Sequence, residues 1–175
     1  MTSSSREIPV WDIFVRLFHW SVVTLFLLDF WVLEEHSSLH AWAGYIIGLL
    51  VLMRFMWGFW GSRNARFSSF FPTPGRIREH LAAMRDGHVD PEAGHNPLGG
   101  MMILFLLLML SVTTMSGWML TWDLFWGEEW VEELHEIAAN ITMLAVLAHV
   151  SAVVIMGRLL GISLIRPMLT GKRSV

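Results

Sequence analysis

The sequence contains no cysteine. That absence excludes disulfides, iron–sulfur clusters, thiolate ligation of a metal and cofactors attached through thioether bonds. Charge is also scarce: 15% of the 175 residues are charged, against 54% apolar. That is too oily for an ordinary soluble domain of this length. No internal repeat and no second domain is visible, and no feature points to nucleic acid as a partner. Basic residues are missing altogether from two of the segments that join the long apolar runs.

Four apolar runs are present: Val10–Leu33, Leu39–Trp60, Pro97–Trp122 and Val131–Leu160. Each is about long enough to cross a hydrocarbon core of ~30 Å as a helix. The first does not read as a cleavable signal peptide, because it is too long, contains His19 and Asp29, and is followed by no small-residue cleavage site. A single membrane domain over residues 1–175 is expected, with spans at about 10–33, 39–60, 97–122 and 131–160.

All twelve Lys and Arg residues fall on one side of this four-span arrangement. Arg6 and Arg16 open the first span, and Arg54 closes the second. Arg63, Arg66, Arg76, Arg78 and Arg85 lie in the middle loop, and Arg158, Arg166, Lys172 and Arg173 lie at the tail. The other two loops carry Glu34, Glu35, Asp123, Glu128, Glu129, Glu132 and Glu133. The positive-inside rule therefore puts both termini and loop 61–96 in the cytoplasm, as an even number of spans requires. Trp11, Trp60, Trp122 and Trp130 near the span ends suit an aromatic belt, while Met115 and Trp118 read as packing residues. Within the loop, Ile77, Leu81 and Met84 stand at helical spacing with Arg76, Arg78 and Arg85 on other faces, which predicts a short amphipathic helix on the inner membrane surface.

Eight histidines are present. His36, His80, His88 and His95 fall in loops or at their edges, where a solvated side chain is the plain reading. His19, His40, His135 and His149 fall within spans, where an ionisable group is costly and points to function. Span direction fixes their depths. His19 lies in the inner half and His40 near the outer surface. His135 is shallow on the outer side, and His149 lies fourteen residues further in, about 21 Å along a helix. The four thus form two depth-matched pairs, His40 with His135 outside and His19 with His149 inside. Two imidazoles from facing helices are what the iron of a haem b takes as axial ligands. Small residues would edge the macrocycle: Ala138, Ala139, Thr142 and Ala145 between the two histidines of the fourth span, and Gly44 and Gly48 following His40. A helix-packing seam explains the small residues equally well but not the matched histidines. A structural zinc site wants four ligands at one point. His36 and His40, at i and i+4, form only a single histidine box, too few for a di-iron oxygenase.

The segment "PVWDIFVRLFHW" (residues 9–20) resembles the opening of the bacterial cytochrome b561 family, which includes the b-type cytochrome subunits of nickel–iron hydrogenases. "LHAWAGYIIGLLVLMRFMWGFWGSRNARFSSF", "GHNPLGG", "LHEIAAN" and "LIRPMLTGK" continue the resemblance in order over nearly the whole chain. It implies an all-α integral membrane protein, a four-helix transmembrane bundle enclosing two haems b. By motif the axial ligands are His19 of "RLFHW", His40 of "LHAWAGY", His135 of "LHEIAAN" and His149 of "LAHV". The implied activity is electron transfer in a bacterial inner membrane between a periplasmic redox partner, a cytochrome c or hydrogenase-like protein, and membrane quinone. Alternatives are a superoxide:quinone oxidoreductase working at the outer haem, and a non-haem membrane metal transporter or assembly subunit.

Other residues carry secondary expectations. Arg16, Arg54, His95 and Arg158, near the inner end, are candidates to meet haem propionates, with topology-setting charge as the alternative. Asp29 is read as turning toward the outer surface, with a proton-relay or ligand-supporting role as the alternative. Glu128, Glu129, Glu132 and Glu133 are read as an anionic landing patch above His135 for a basic partner, or else as solvated charge.

Overall fold

The computed structural model of the chain describes residues 7–85 and 97–174. Arg6, His88 and His95 lie outside the described residues, as do the side chains of Leu81 and Met84. The order of elements is strand β1 (Glu7–Pro9), helices α1 (Ile13–Trp31), α2 (Ser38–Trp60), α3 (Phe67–Phe70), α4 (Pro74–Arg85), α5 (Pro97–Met119), α6 (Glu129–Leu159) and α7 (Arg166–Thr170), and strand β2 (Lys172–Ser174). Four of the helices, α1, α2, α5 and α6, are long and apolar enough to cross a bilayer. Helices suit that setting because each satisfies its backbone polar groups internally.

Local chemistry sets the helix starts. Asp12 caps α1, its Oδ1 accepting from Val15 N at 2.8 Å. Ser37 caps α2, its Oγ accepting from His40 N at 3.1 Å. Each satisfies one of the orphan N–H groups that open a helix. The α7 helix has Pro167 in its first turn and ends at Gly171, whose φ of 81° suits glycine. A side chain on Gly171 would also press on Trp11 O and Arg16 Nη1, at 3.0 and 3.2 Å.

Neighbouring spans pack in chain order, α1 on α2, α2 on α5 and α5 on α6. Their shared interior is the cluster Val22, Phe26, Ile47, Val51, Leu110 and Met143. Outward, Leu17, Leu49, Leu52, Leu108, Leu144 and Ile155 are exposed, the exterior that lipid rather than water accepts.

One end of the bundle is tied by polar contacts. β1 and β2 pair antiparallel, with Ile8 opposite Arg173, so both termini sit at the same end. Val10 N donates to Gly171 O at 2.8 Å, and Asn64 Nδ2 donates to Val10 O at 3.0 Å. Asp12 Oδ2 accepts from Trp57 Nε1 at 3.0 Å and from Ser62 Oγ. Below, this is the terminal end, and the end holding loops 32–37 and 120–128 is the far end.

Candidate functional site

Helix α1 carries His19 in its second turn, and α6 carries His149 toward its C-terminal half. Their ring centroids are 6.4 Å apart, with planes at 61°. At the far end, His40 in the first turn of α2 faces His135 in the second turn of α6, with centroids 6.0 Å apart and planes at 86°. His135 and His149 share a face of α6 because fourteen residues are close to four helical turns. His40 is held at its depth by the Ser37 cap, which bonds its own backbone N–H.

At the far end, polar groups stand beside Nδ1 of both imidazoles. His135 Nδ1 lies 2.9 Å from Thr113 O on α5 and 3.3 Å from Ser116 Oγ. A carbonyl only accepts, so Nδ1 carries the proton and donates, which leaves the Nε2 lone pair free. Gly117 permits this approach: a Cβ there would stand 2.8 Å from His135 Cε1 and 3.1 Å from Nδ1. Around the contact, Ser116 and Thr142 are buried, and the Thr113 and Thr142 hydroxyls lie 3.3 Å apart. None of Thr113, Ser116 and Gly117 stands out in the sequence. The only signal is a cluster of small residues in an otherwise large apolar run.

His40 Nδ1 stands 3.0 Å from Asp29 Oδ1, at ion-pair distance. The expectation that Asp29 turns to the outer surface is thereby corrected: its side chain is 14% exposed and faces the bundle. The cause is the short link between α1 and α2, which sets the last turn of one helix beside the first turn of the next. At the terminal pair, His19 Nδ1 is enclosed and has no hydrogen-bond partner among the described residues.

Each pair leaves room for one metal between its rings. Two metal–nitrogen bonds of roughly 2 Å each, plus the distance from each ring centre to its nitrogen, come to roughly 6 Å. Among the described residues, no group of three or more His, Asp or Glu converges to hold a bare ion. Facing imidazole pairs therefore suit a metal that brings its other ligands with it. Beside them, α6 is narrow, with Ala138, Thr142 and Ala145 buried and Ala139 half-buried. Gly44 and Gly48 line a groove of about 370 Å³ between α2 and α5, with Tyr45, Ser111, Thr114 and Trp118. Its two α5 hydroxyls are committed within that helix, Ser111 Oγ donating to Leu107 O at 2.7 Å and Thr114 Oγ1 to Leu110 O at 2.8 Å.

The basic residues differ in availability. Arg16 donates from Nε to Met168 O at 3.4 Å and from Nη2 to Leu169 O, which ties α1 to α7. Arg54 is 3% exposed. Its Nη2 donates to Ala65 O at 3.1 Å, its guanidinium lies over the Phe67 ring, and its Nη1 has no partner among the described residues. Arg158 is exposed in the last turn of α6. His95, the fourth candidate, lies outside the described residues. Asp12, between Trp57 and Ser62, is a mixed case. Burial pushes its carboxyl up, but the bonds from Ser62, Val15 and Trp57, together with the Arg54 charge, hold it below the ordinary value. At the far end, Glu128, Glu129, Glu132 and Glu133 are all exposed around the start of α6.

The family model described as Prokaryotic cytochrome b561 matches residues 10–171. Comparisons with curated proteins and with solved structures returned no match. The matched stretch takes in all four long helices and both histidine pairs, and the chain belongs to the prokaryotic cytochrome b561 family.

Proposed function

We propose that the two histidine pairs are the axial ligands of two haems b that carry electrons between a periplasmic redox protein and membrane quinone. The family and the four apolar helices make the chain a multi-pass bacterial membrane protein that transfers electrons across the membrane by b-type haem. What supports the finer reading is one observation: imidazoles face each other at two depths, with centroid separations of 6.4 and 6.0 Å. Bound haem b supplies a one-electron ferric–ferrous couple.

The protein's own residues have separable tasks in this reading. His19 and His149 would hold the haem at the terminal end, and His40 and His135 would hold the one at the far end. The Thr113 carbonyl fixes the rotation of the His135 ring, and the Asp29 carboxylate stands 3.0 Å from Nδ1 of His40. Arg54, through its unpartnered Nη1, and Arg158 offer positive charge for propionates at the terminal end. The apolar cluster of Val22, Phe26, Ile47, Val51, Leu110 and Met143 keeps water out of the middle of the bundle. The distribution of basic residues supports a cytoplasmic terminal end and a periplasmic far end. The acids at the start of α6 then face the periplasm and favour a basic partner, a cytochrome c or a hydrogenase-like redox protein.

The experiment is reconstitution in liposomes with a lipid-soluble quinol inside the bilayer and a basic cytochrome c outside. Reduction of the cytochrome that needs this protein, and that falls to background with His40→Ala, is the expected result. A rate that His40→Ala leaves unchanged would sink the proposal.

A further inference from the structure

The two histidine pairs are not supported alike. At the far end, His40 Nδ1 faces a carboxylate, Asp29, at 3.0 Å. Neither His40 Nδ1 nor His19 Nδ1 has a hydrogen-bond partner among the described residues, but at the terminal end no carboxylate among them stands at ion-pair distance from His19. The Ser37 cap bonds the backbone N–H of His40 and so sets its depth, which leaves the tautomer of the ring to what stands beside Nδ1. The sequence also has no Lys or Arg at the far end to offset the Asp29 charge, since all twelve lie toward the other end.

We propose that Asp29 is a positioning residue for the far-end haem, whose midpoint potential it lowers through its carboxylate 3.0 Å from His40 Nδ1 while leaving the terminal-end haem unaffected. The inference rests on the reading of His40 as an axial ligand. A carboxylate on Nδ1–H fixes the tautomer and raises the basicity of Nε2. A more basic ligand favours the ferric form, which carries one more positive charge than the ferrous form. The acceptor is shielded from water, its side chain being 14% exposed, so its field on the iron is weakly screened. The opposite ligand, His135, meets a neutral carbonyl and a hydroxyl at hydrogen-bond distance, so Asp29 is the carboxylate that stands at contact with a ring of this pair. Lowering this potential shifts the equilibrium between the two haems toward the terminal-end one and favours electron flow from the far end inward.

The test is a redox titration of the purified protein, followed by its visible spectrum, for the wild type, Asp29→Asn, Asp29→Glu and His40→Ala. The component missing from His40→Ala identifies the far-end haem. In Asp29→Asn the far-end haem remains low-spin, and its equilibrium moves about tenfold toward the ferrous form, 59 mV upward for one electron. The terminal-end potential stays where it was, and Asp29→Glu restores most of the difference. If Asp29→Asn holds both haems with the far-end equilibrium within roughly twofold of wild type, the proposal is overturned. It is overturned equally if the potentials of both haems move together. Should Asp29→Asn fail to retain the far-end haem, Asp29→Thr is titrated by the same criterion, and loss of the haem there too makes Asp29 a binding residue and ends the proposal. A His40→Ala variant that keeps both haem signals indicts the ligand assignment itself, a failure distinct from an Asp29 effect.

Discussion

His135 donates from Nδ1 to the carbonyl oxygen of Thr113, 2.9 Å away across the packed faces of α6 and α5. Gly117, one turn after Thr113, is what lets the ring come so close to the α5 backbone, because any Cβ there would stand 2.8 Å from His135 Cε1. Gly117→Ala and the larger Gly117→Val are therefore expected to turn or displace the His135 ring. The far-end haem should be lost or converted to high spin while the terminal-end haem remains. Alanine is the better helix former by about 1 kcal/mol, so a loss in Gly117→Ala does not come from a weaker helix. Visible spectra of the reduced and oxidised protein check this, and a variant with both haems unchanged would show the contact to be dispensable.

The terminal end gives a prediction about stability. Asp12 caps α1 and also accepts from Trp57 and Ser62, so Asp12→Ala removes a cap and orphans the Trp57 donor. The expected cost is about 1–2 kcal/mol at neutral pH, read as a lower unfolding temperature in detergent. Because the folded carboxyl lies below its ordinary value of 3.8, its contribution is complete above that value. It is lost as pH falls through the lowered folded value. The wild type and the variant should therefore differ at neutral pH and converge in strong acid. A difference that persists undiminished in acid would mean that the carboxylate charge is not what stabilises the tie.

Much of the candidate site was legible because depth in a membrane is a function of position along a helix. The fourteen residues from His135 to His149, together with alternating span directions, are enough to say which histidines share a depth. Rotation about the helix axis is harder, since each span is apolar nearly all round. Asp29 illustrates this: it lies close enough to the end of α1 to reach water, yet its rotation and the short turn to Ser37 direct it at His40. Thr113 contributes a backbone carbonyl, which no side-chain pattern reveals. Gly44 and Gly48 follow His40 along α2, and the groove they line lies between α2 and α5. Arg16 is one of the propionate candidates by its place one helical turn before His19, but its guanidinium is engaged by carbonyls of the distant segment 168–169.

Orientation is open to a direct check. The pairing of β1 with β2 puts both termini at one end, and the basic residues favour the cytoplasm for that end. Reporter fusions after residue 175 and within loop 123–128 should therefore report opposite compartments, cytoplasm for the first and periplasm for the second. The reverse assignment would invert the proposed direction of partner docking, and identical compartments would contradict the four-span arrangement.

The acids above His135 carry a prediction about partner choice. Replacing Glu128, Glu129, Glu132 and Glu133 together by glutamine is expected to slow electron exchange with a basic cytochrome c about tenfold or more at low ionic strength. The dependence on salt should flatten and the haem spectrum stay the same. Stopped-flow rates across a salt series measure this. Equal rates for variant and wild type in low salt would leave the four glutamates as solvated charge only.

The central claim is that two histidine pairs hold two haems, and haem stoichiometry in single-histidine variants tests it most directly. Purified wild-type protein should contain two haems b per chain, both low-spin. His40→Ala and His135→Ala should each lose the same haem, and His19→Ala and His149→Ala should each lose the other. One haem per chain in the wild type, or His40→Ala and His149→Ala removing the same haem, would contradict the account.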